Sequence, residues 1–142
     1  MKWLFGSLML FHLYYSAPKT GHITLEINNI KEAKGYLWVG VYNNPQDFMN
    51  KEKAIMVKGE VVKKTGVHYI RLENMPLGTI AIALFHDLNG NGELDQTMIG
   101  IPKEPYAFSQ KIKTKWRIPQ YEDVKIEFKE AGQIVPMNLE QW

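Results

Sequence analysis

Residues 79–95 read TIAIALFHDLNGNGELD, and the rest of the chain is organised around this stretch. An extended chain here would be apolar on both sides. Ile80, Ile82 and Leu84 would share one face, and Ala81 and Ala83 would share the other. A strand of this kind is typical of the centre of a sheet that is covered on both faces. We therefore predict a central strand that ends where Asp87 opens a polar loop.

Segments with alternating apolar residues lie on both sides of this stretch. Alternation with a period of two indicates half-buried strands, and the intervening residues are rich in turn formers. We predict strands at 23–28, 36–42, 54–63, 67–73, 79–86, 124–130 and 133–139. Lys64-Thr65-Gly66 predicts a hairpin between the third and fourth strands, and Pro136 predicts that the last strand lies at an edge. A single helical turn within 45–53 would be capped by Asn44.

About seven short strands without βαβ alternation predict an all-β fold, an antiparallel β-sandwich. The region 96–120 is predicted to be a long irregular loop, because it contains three prolines, at 102, 105 and 119. The chain of 142 residues has no cysteine, which excludes thiolate catalysis, zinc–thiolate sites and iron–sulfur clusters. Its net charge of +2 is not that of a nucleic-acid-binding protein.

The amino terminus resembles a signal peptide over residues 1–17. One lysine precedes a short apolar run, and small residues follow it. The run is shorter than the roughly 20 residues of a transmembrane helix, so we predict no membrane span in the mature chain. These features predict an exported protein, periplasmic or at the cell surface, with a single domain over 21–142. The alternative is an apolar strand or helix that packs on the domain.

The loop after the central strand matches the beginning of a calcium-binding loop. Asp87, Asn89 and Asn91 stand at its first, third and fifth positions, and Glu93 and Asp95 at its seventh and ninth. Met98 occupies the twelfth position, where a bidentate glutamate is expected. Any Ca²⁺ site would therefore be weak, with a dissociation constant of about 0.1–1 mM. The alternative is a metal-free turn in which these side chains accept hydrogen bonds from the backbone.

No catalytic residues are assigned from the sequence. His86 and Asp87 are adjacent in a strand, so their side chains are predicted to point to opposite faces. Ser109 lacks the flanking glycines of a nucleophile elbow. A hydrolase-like enzyme that uses His86 and Asp87 remains an alternative, and a non-enzymatic role is favoured.

The stretch 103–121 combines aromatic and basic residues. Tyr106, Phe108 and Trp116 could supply flat apolar faces for a carbohydrate or lipid, and Arg117 could supply charge. The alternative is a covering loop whose aromatic rings plug the end of the sandwich and whose lysines are solvated. The first interpretation requires an open cavity or an exposed row of Tyr106, Phe108 and Trp116.

Two segments carry a resemblance to a known family. Residues 72–95 contain the string His-Asp-x-Asn-Gly-Asn-Gly-x-Leu-Asp, and Gly-Ile-Pro follows at 100–102. The chain thereby resembles a bacterial exported family of unknown function, family 2141. The resemblance implies a signal peptide and one domain, but no activity. More distantly, the turn, strand and loop are similar to prealbumin-like or Ig-like surface modules, some of which hold calcium there. A binding module or an envelope scaffold with an envelope-protein partner is the function expected.

Overall fold

The computed structural model describes residues 16, 19–113 and 116–142, and most of them lie in two β-sheets. The strands are β1 (Thr20–Ile30), β2 (Tyr36–Tyr42), β3 (Met56–Val61), β4 (Gly66–Pro76), β5 (Gly78–Asp87), β6 (Tyr106–Phe108), β7 (Ile126–Phe128) and β8 (Gln133–Asn138). A four-residue helix, α1 (Tyr121–Val124), precedes β7, and two 3-10 turns, Pro45–Asp47 and Lys51–Lys53, follow β2. None of the described helices is long and apolar enough to cross a membrane.

The two sheets pack face to face. The smaller sheet has the strand order β4-β1-β8, and the larger has β3-β2-β5-β6, with β7 paired to the first half of β5. The core between them is formed by alternate residues of the strands, including Leu25, Ile70, Val39, Ile82 and Met137. This arrangement confirms the predicted β-sandwich and the central position of β5, which pairs with β2 on one side and with β6 and β7 on the other.

Two pairings differ from the prediction. The segment 64–66 does not close a hairpin, because β3 belongs to the larger sheet and β4 to the smaller one. The turn instead carries the chain from one sheet to the other. The last strand, β8, does lie at an edge, but it pairs with β1 in parallel, with Leu25 opposite Val135. Among the described strands, the sandwich is therefore antiparallel except for this one pair.

Local corrections concern the carboxyl-terminal third. The predicted strand 124–130 is shorter, because Val124 ends α1 and only Ile126–Phe128 pair with β5. The described residues form eight strands rather than the predicted seven, since β6 forms inside the region predicted to be irregular. The predicted turn within 45–53 is present as two 3-10 turns, which Asn44 and Asn50 cap with their side chains. The predicted signal peptide lies outside the described residues except for Ser16.

Candidate functional site: an apolar cleft beside a polar loop

The outer face of the larger sheet, which points away from the sandwich core, is apolar. Strand register aligns its residues in two rows across the sheet. One row runs Gly59, Trp38, Phe85 and Tyr106, and the other runs Val57, Gly40, Ala83 and Phe108. The second row has its two smallest residues at the centre. Gly40 and Ala83 therefore form a depression between larger neighbours.

This depression is the floor of a cleft of about 480 Å³. Its walls come from two segments that follow β5, one at 92–102 and one that includes Ile112 and 116–119. Most of the wall residues are apolar, among them Leu94, Ile99, Ile101, Ile112 and Ile118. A volume of this size lies within the range of about 300–1,000 Å³ that is usual for small-molecule sites.

An aromatic cluster packs beside the cleft. The ring of Phe48 contacts those of Tyr42, Tyr121 and Phe108 at centroid distances of 5.4, 6.1 and 6.3 Å. Ala81 and Val124 are buried beneath the same cluster. The hydroxyl of Tyr121 donates a 3.0 Å hydrogen bond to the carbonyl oxygen of Thr79, which ties α1 to β5. These contacts hold α1 and the turns after β2 against the outer face.

The four residues predicted as ligand contacts all line this cleft. Tyr106 is buried, Phe108 is half-buried and Trp116 is 97% exposed. The Arg117 guanidinium is bound by both carboxylate oxygens of Asp123, at 2.6 and 2.8 Å, and this contact lowers the pKa of Asp123 to about 2. The structure thus brings the four together, and their role in binding stays a prediction.

The Tyr106 hydroxyl is an unusual group in this site. It is buried, and among the described residues it is the one buried side-chain oxygen or nitrogen without a hydrogen-bond partner. Burial raises the pKa of Tyr106, and the charge of Glu140 raises it further. The hydroxyl is therefore protonated at neutral pH and can donate a hydrogen bond. Its ring borders both the cleft and a second cavity of about 270 Å³.

The polar loop is anchored by the buried carboxylate of Asp87. One oxygen accepts hydrogen bonds from the backbone N–H groups of Gly90 and Asn91, at 2.7 and 3.2 Å. The other accepts from the N–H of Gly92 at 2.8 Å and from the Trp38 indole at 3.1 Å. Burial by itself would raise the pKa of Asp87, but these four donors outweigh it and hold the pKa below its ordinary value.

The remaining predicted metal ligands bind one another. The side-chain oxygens of Asn89 and Asn91 accept the N–H groups of Asn91 and Glu93, at 3.1 and 2.9 Å. Their amide nitrogens donate to the Asp95 carboxylate at 2.6 and 3.2 Å. No metal-type group of three or more His, Cys, Asp or Glu occurs in the described part of the chain. In this arrangement the amide nitrogens of Asn89 and Asn91 face the Asp95 carboxylate. Calcium binding stays a prediction.

Sequence reasoning missed three residues of the site: Glu104, Lys51 and Trp38. Glu104 is buried, and its two oxygens accept the N–H groups of Leu88 and Asp95, at 2.8 and 3.1 Å. The Lys51 ammonium lies 5.2 Å from the Trp38 ring centroid and 3.4 Å from the Gly92 carbonyl oxygen. Of the three, only Trp38 could have been found from the sequence, because the residues on both faces of β2 are apolar. Glu104 and Lys51 approach the loop through tertiary contacts alone.

The hydrolase-like alternative gains no support from the geometry. His86 and Asp87 follow one another at the end of β5, so their side chains leave opposite faces of the strand. The His86 ring is buried, with Nε2 2.7 Å from the carbonyl oxygen of Lys34. Both groups are enclosed and hydrogen-bonded, and neither is placed to activate a water molecule in the cleft.

Comparison with known proteins assigns the chain to a family. Residues 25–135 match the family model described as "Uncharacterized protein conserved in bacteria (DUF2141)". The chain belongs to this family. The match spans every strand of the larger sheet, most of the smaller one and the whole polar loop, in agreement with the resemblance carried by residues 72–95. Searches of the curated proteins and of the solved structures found no match.

Proposed function

We propose that this protein is a binding module that takes up a ligand with a hydrocarbon chain in the cleft on the outer face of the larger sheet. The observation that carries this proposal is the cleft itself, whose floor and walls are apolar. An outer sheet face that met only water would carry polar side chains at these positions. Burial of a hydrocarbon chain against this surface would supply the driving force for binding.

A carbohydrate fits the cleft less well than a hydrocarbon chain. Sugar recognition needs several polar side chains that converge on hydroxyl groups, in addition to aromatic faces. The polar side chains in the lining are few, and the Arg117 guanidinium is already bound by Asp123. The Tyr106 hydroxyl and the Lys51 ammonium are two groups at this site that could bind the polar end of an amphiphile.

The proposal is tested by titration of dodecanoate followed by calorimetry and by tryptophan fluorescence. Ala83→Leu fills the floor of the cleft and should abolish binding, and Trp116→Ala should weaken it severalfold. Ile134→Ala is the control, because Ile134 lies on β8 in the other sheet and is 59% exposed. Failure of dodecanoate to bind, or binding that Ala83→Leu leaves unchanged, would refute the proposal. Cellobiose and N-acetylglucosamine, titrated in parallel, test the carbohydrate alternative.

We also propose that the chain is exported to the periplasm or the cell surface, on the basis of the signal-type sequence of residues 1–17. Expression of the full chain with a carboxyl-terminal tag in a bacterium, followed by fractionation, tests this. The tagged protein should leave the cytoplasm and lack the signal-type segment. A cytoplasmic protein that retains Met1 would contradict export.

A further inference from the structure

The two segments at the mouth of the cleft carry the most exposed apolar side chains of the described residues. Met98 and Ile99 are 105% and 81% exposed, and Trp116 and Ile118 are 97% and 75% exposed. Every other large apolar side chain in the described part of the chain is 60% exposed or less. Apolar surface concentrated in this way marks a site of interaction with a protein or a membrane.

Met98 and Ile99 are held out by an ordered turn. Gln96 and Pro102 form an antiparallel bridge, and the N–H of Thr97 donates to the carbonyl oxygen of Ile101 at 2.8 Å. The N–H of Gly100 closes the turn on the carbonyl oxygen of Thr97 at 2.9 Å. These backbone bonds present the two side chains at the tip of a small hairpin. Their exposure is therefore a feature of the folded segment.

Positive charge is concentrated around the same segments. Residues 96–120 contain five basic residues and one acidic residue, Glu104, which is buried. With 17 basic and 15 acidic residues in all, the rest of the chain has 12 and 14 and is slightly acidic. Lys103, Lys111 and Lys113 are exposed, whereas Arg117 is paired with Asp123. Exposed lysines therefore flank the two segments, and Glu93 and Asp95 stand at the beginning of the first segment.

We propose that this face docks on the surface of a bilayer that contains anionic lipid. Met98, Ile99, Trp116 and Ile118 would enter the headgroup region, and the lysines would contact anionic headgroups. Tryptophan and aliphatic side chains flanked by lysine are the combination that binds such surfaces. The docking goes beyond the binding of a ligand in the cleft, and it does not require the cleft to be filled. If the protein both binds a ligand in the cleft and docks on a bilayer, the cleft opens toward the lipid.

A second copy of the chain is the other occupant to be tested, and charge disfavours it. The exposed lysines of two identical faces would repel each other, whereas an anionic surface complements them. Two protruding segments around an open cleft also offer less flat surface for self-association than a strand face would. The bilayer surface is therefore the occupant that the exposed side chains and the charge favour together.

The test is sedimentation of the full chain with phosphatidylcholine vesicles, with and without phosphatidylglycerol. Binding should require phosphatidylglycerol, and Met98→Asp should lower partitioning at least tenfold while Ile134→Asp, the control, leaves it unchanged. The double variant Lys111→Gln/Lys113→Gln should lower partitioning about tenfold or more. The charge-matched Lys63→Gln/Lys64→Gln pair should have much less effect. All variants keep the same amino terminus, so differences between them report on this face.

The outcomes separate docking from ligand binding. Met98, Lys111 and Lys113 do not line the cleft, so their variants should bind dodecanoate like the wild type when vesicles are absent. Ala83→Leu should lose dodecanoate and keep vesicle binding. Equal partitioning of Met98→Asp and wild type would overturn the proposal. The proposal would also be overturned if the wild type did not bind vesicles and instead formed a dimer in light scattering that Met98→Asp dissociates.

Discussion

The indole nitrogen of Trp38 donates a 3.1 Å hydrogen bond to the carboxylate of Asp87, which joins the floor of the cleft to the polar loop at the end of β5. The two residues lie on neighbouring strands, and Trp38 stands opposite Phe85 in the register. Its ring lies over Gly59, where a Cβ atom would approach the ring to 2.6 Å. The order of the loop and the shape of the cleft are therefore coupled through one side chain.

Asp87→Asn should destabilise the protein by about 2–4 kcal/mol, because an amide nitrogen would replace an oxygen that accepts two hydrogen bonds. Urea unfolding measures the change. Asp95→Asn is the matched control. Asp95 is half-buried, and its carboxylate oxygens accept hydrogen bonds only from side-chain amides in the loop. This substitution should therefore lower the free energy of unfolding by a smaller amount. Equal effects of the two substitutions would contradict the role assigned to Asp87.

The stabilisation from Asp87 should depend on pH. Because its pKa in the folded protein lies below the ordinary value of 3.8, the contribution is complete above that value and is lost as the pH falls through the folded pKa. The difference in unfolding free energy between wild type and Asp87→Asn should therefore shrink as the pH is lowered from about 5 to about 3. A difference that stays constant over this range would show that the charge of Asp87 is not responsible.

Glu104→Gln should loosen the segment between Leu88 and Asp95. One of the two backbone N–H groups bound by Glu104 would lose its acceptor, at a cost of about 1–2 kcal/mol. Amide hydrogen exchange at Leu88 and Asp95 should accelerate, while exchange in β1 stays slow. Glu93→Gln changes an exposed carboxylate of the same loop and serves as the control. Unchanged exchange in Glu104→Gln would show that other contacts hold the loop.

Tyr106→Phe should leave stability unchanged or raise it by about 0.5–1 kcal/mol, since the buried hydroxyl it removes has no hydrogen-bond partner in the described structure. Tyr121→Phe is the matched control and should lose about 1 kcal/mol, because that hydroxyl donates to Thr79. Thermal unfolding compares the two variants. A clear loss of stability in Tyr106→Phe would reveal a partner for the hydroxyl. Weaker dodecanoate binding by the same variant would place the ligand's polar end at Tyr106.

Calcium binding can be measured directly by thermal unfolding. If the loop holds Ca²⁺ with a dissociation constant of about 0.5 mM, 5 mM calcium should stabilise the protein by about 1.4 kcal/mol. Asp95→Asn should abolish this rise, because it removes one of the few carboxylates among the predicted ligands. Magnesium at the same concentration controls for ionic strength. An unchanged melting temperature would leave the loop as a hydrogen-bonded turn.

The two central strands of the larger sheet, β2 and β5, were the most predictable part of the fold. The bounds predicted for β2 coincide with the observed ones, and those of β5 are within one residue at each end, because apolar alternation directly reports which side chains are buried. Partner choice was less predictable. Nothing local distinguishes a hairpin at 64–66 from a crossing between sheets, and the parallel pairing of β8 with β1 depends on residues more than 100 positions apart.

The candidate site, like the fold, was predictable from the sequence only in part. Local sequence alone determined that the chain would form strands, that the central one would be apolar on both faces, and that a turn rich in Asn and Gly would follow it, since these features depend on neighbouring residues and their backbone preferences. Only the tertiary structure decided that Gly40 and Ala83 lie side by side beneath a cleft, and that Glu104 and Lys51 reach the loop. Cross-strand register and long-range contacts arise from packing between distant segments, which the pattern of any one segment does not specify.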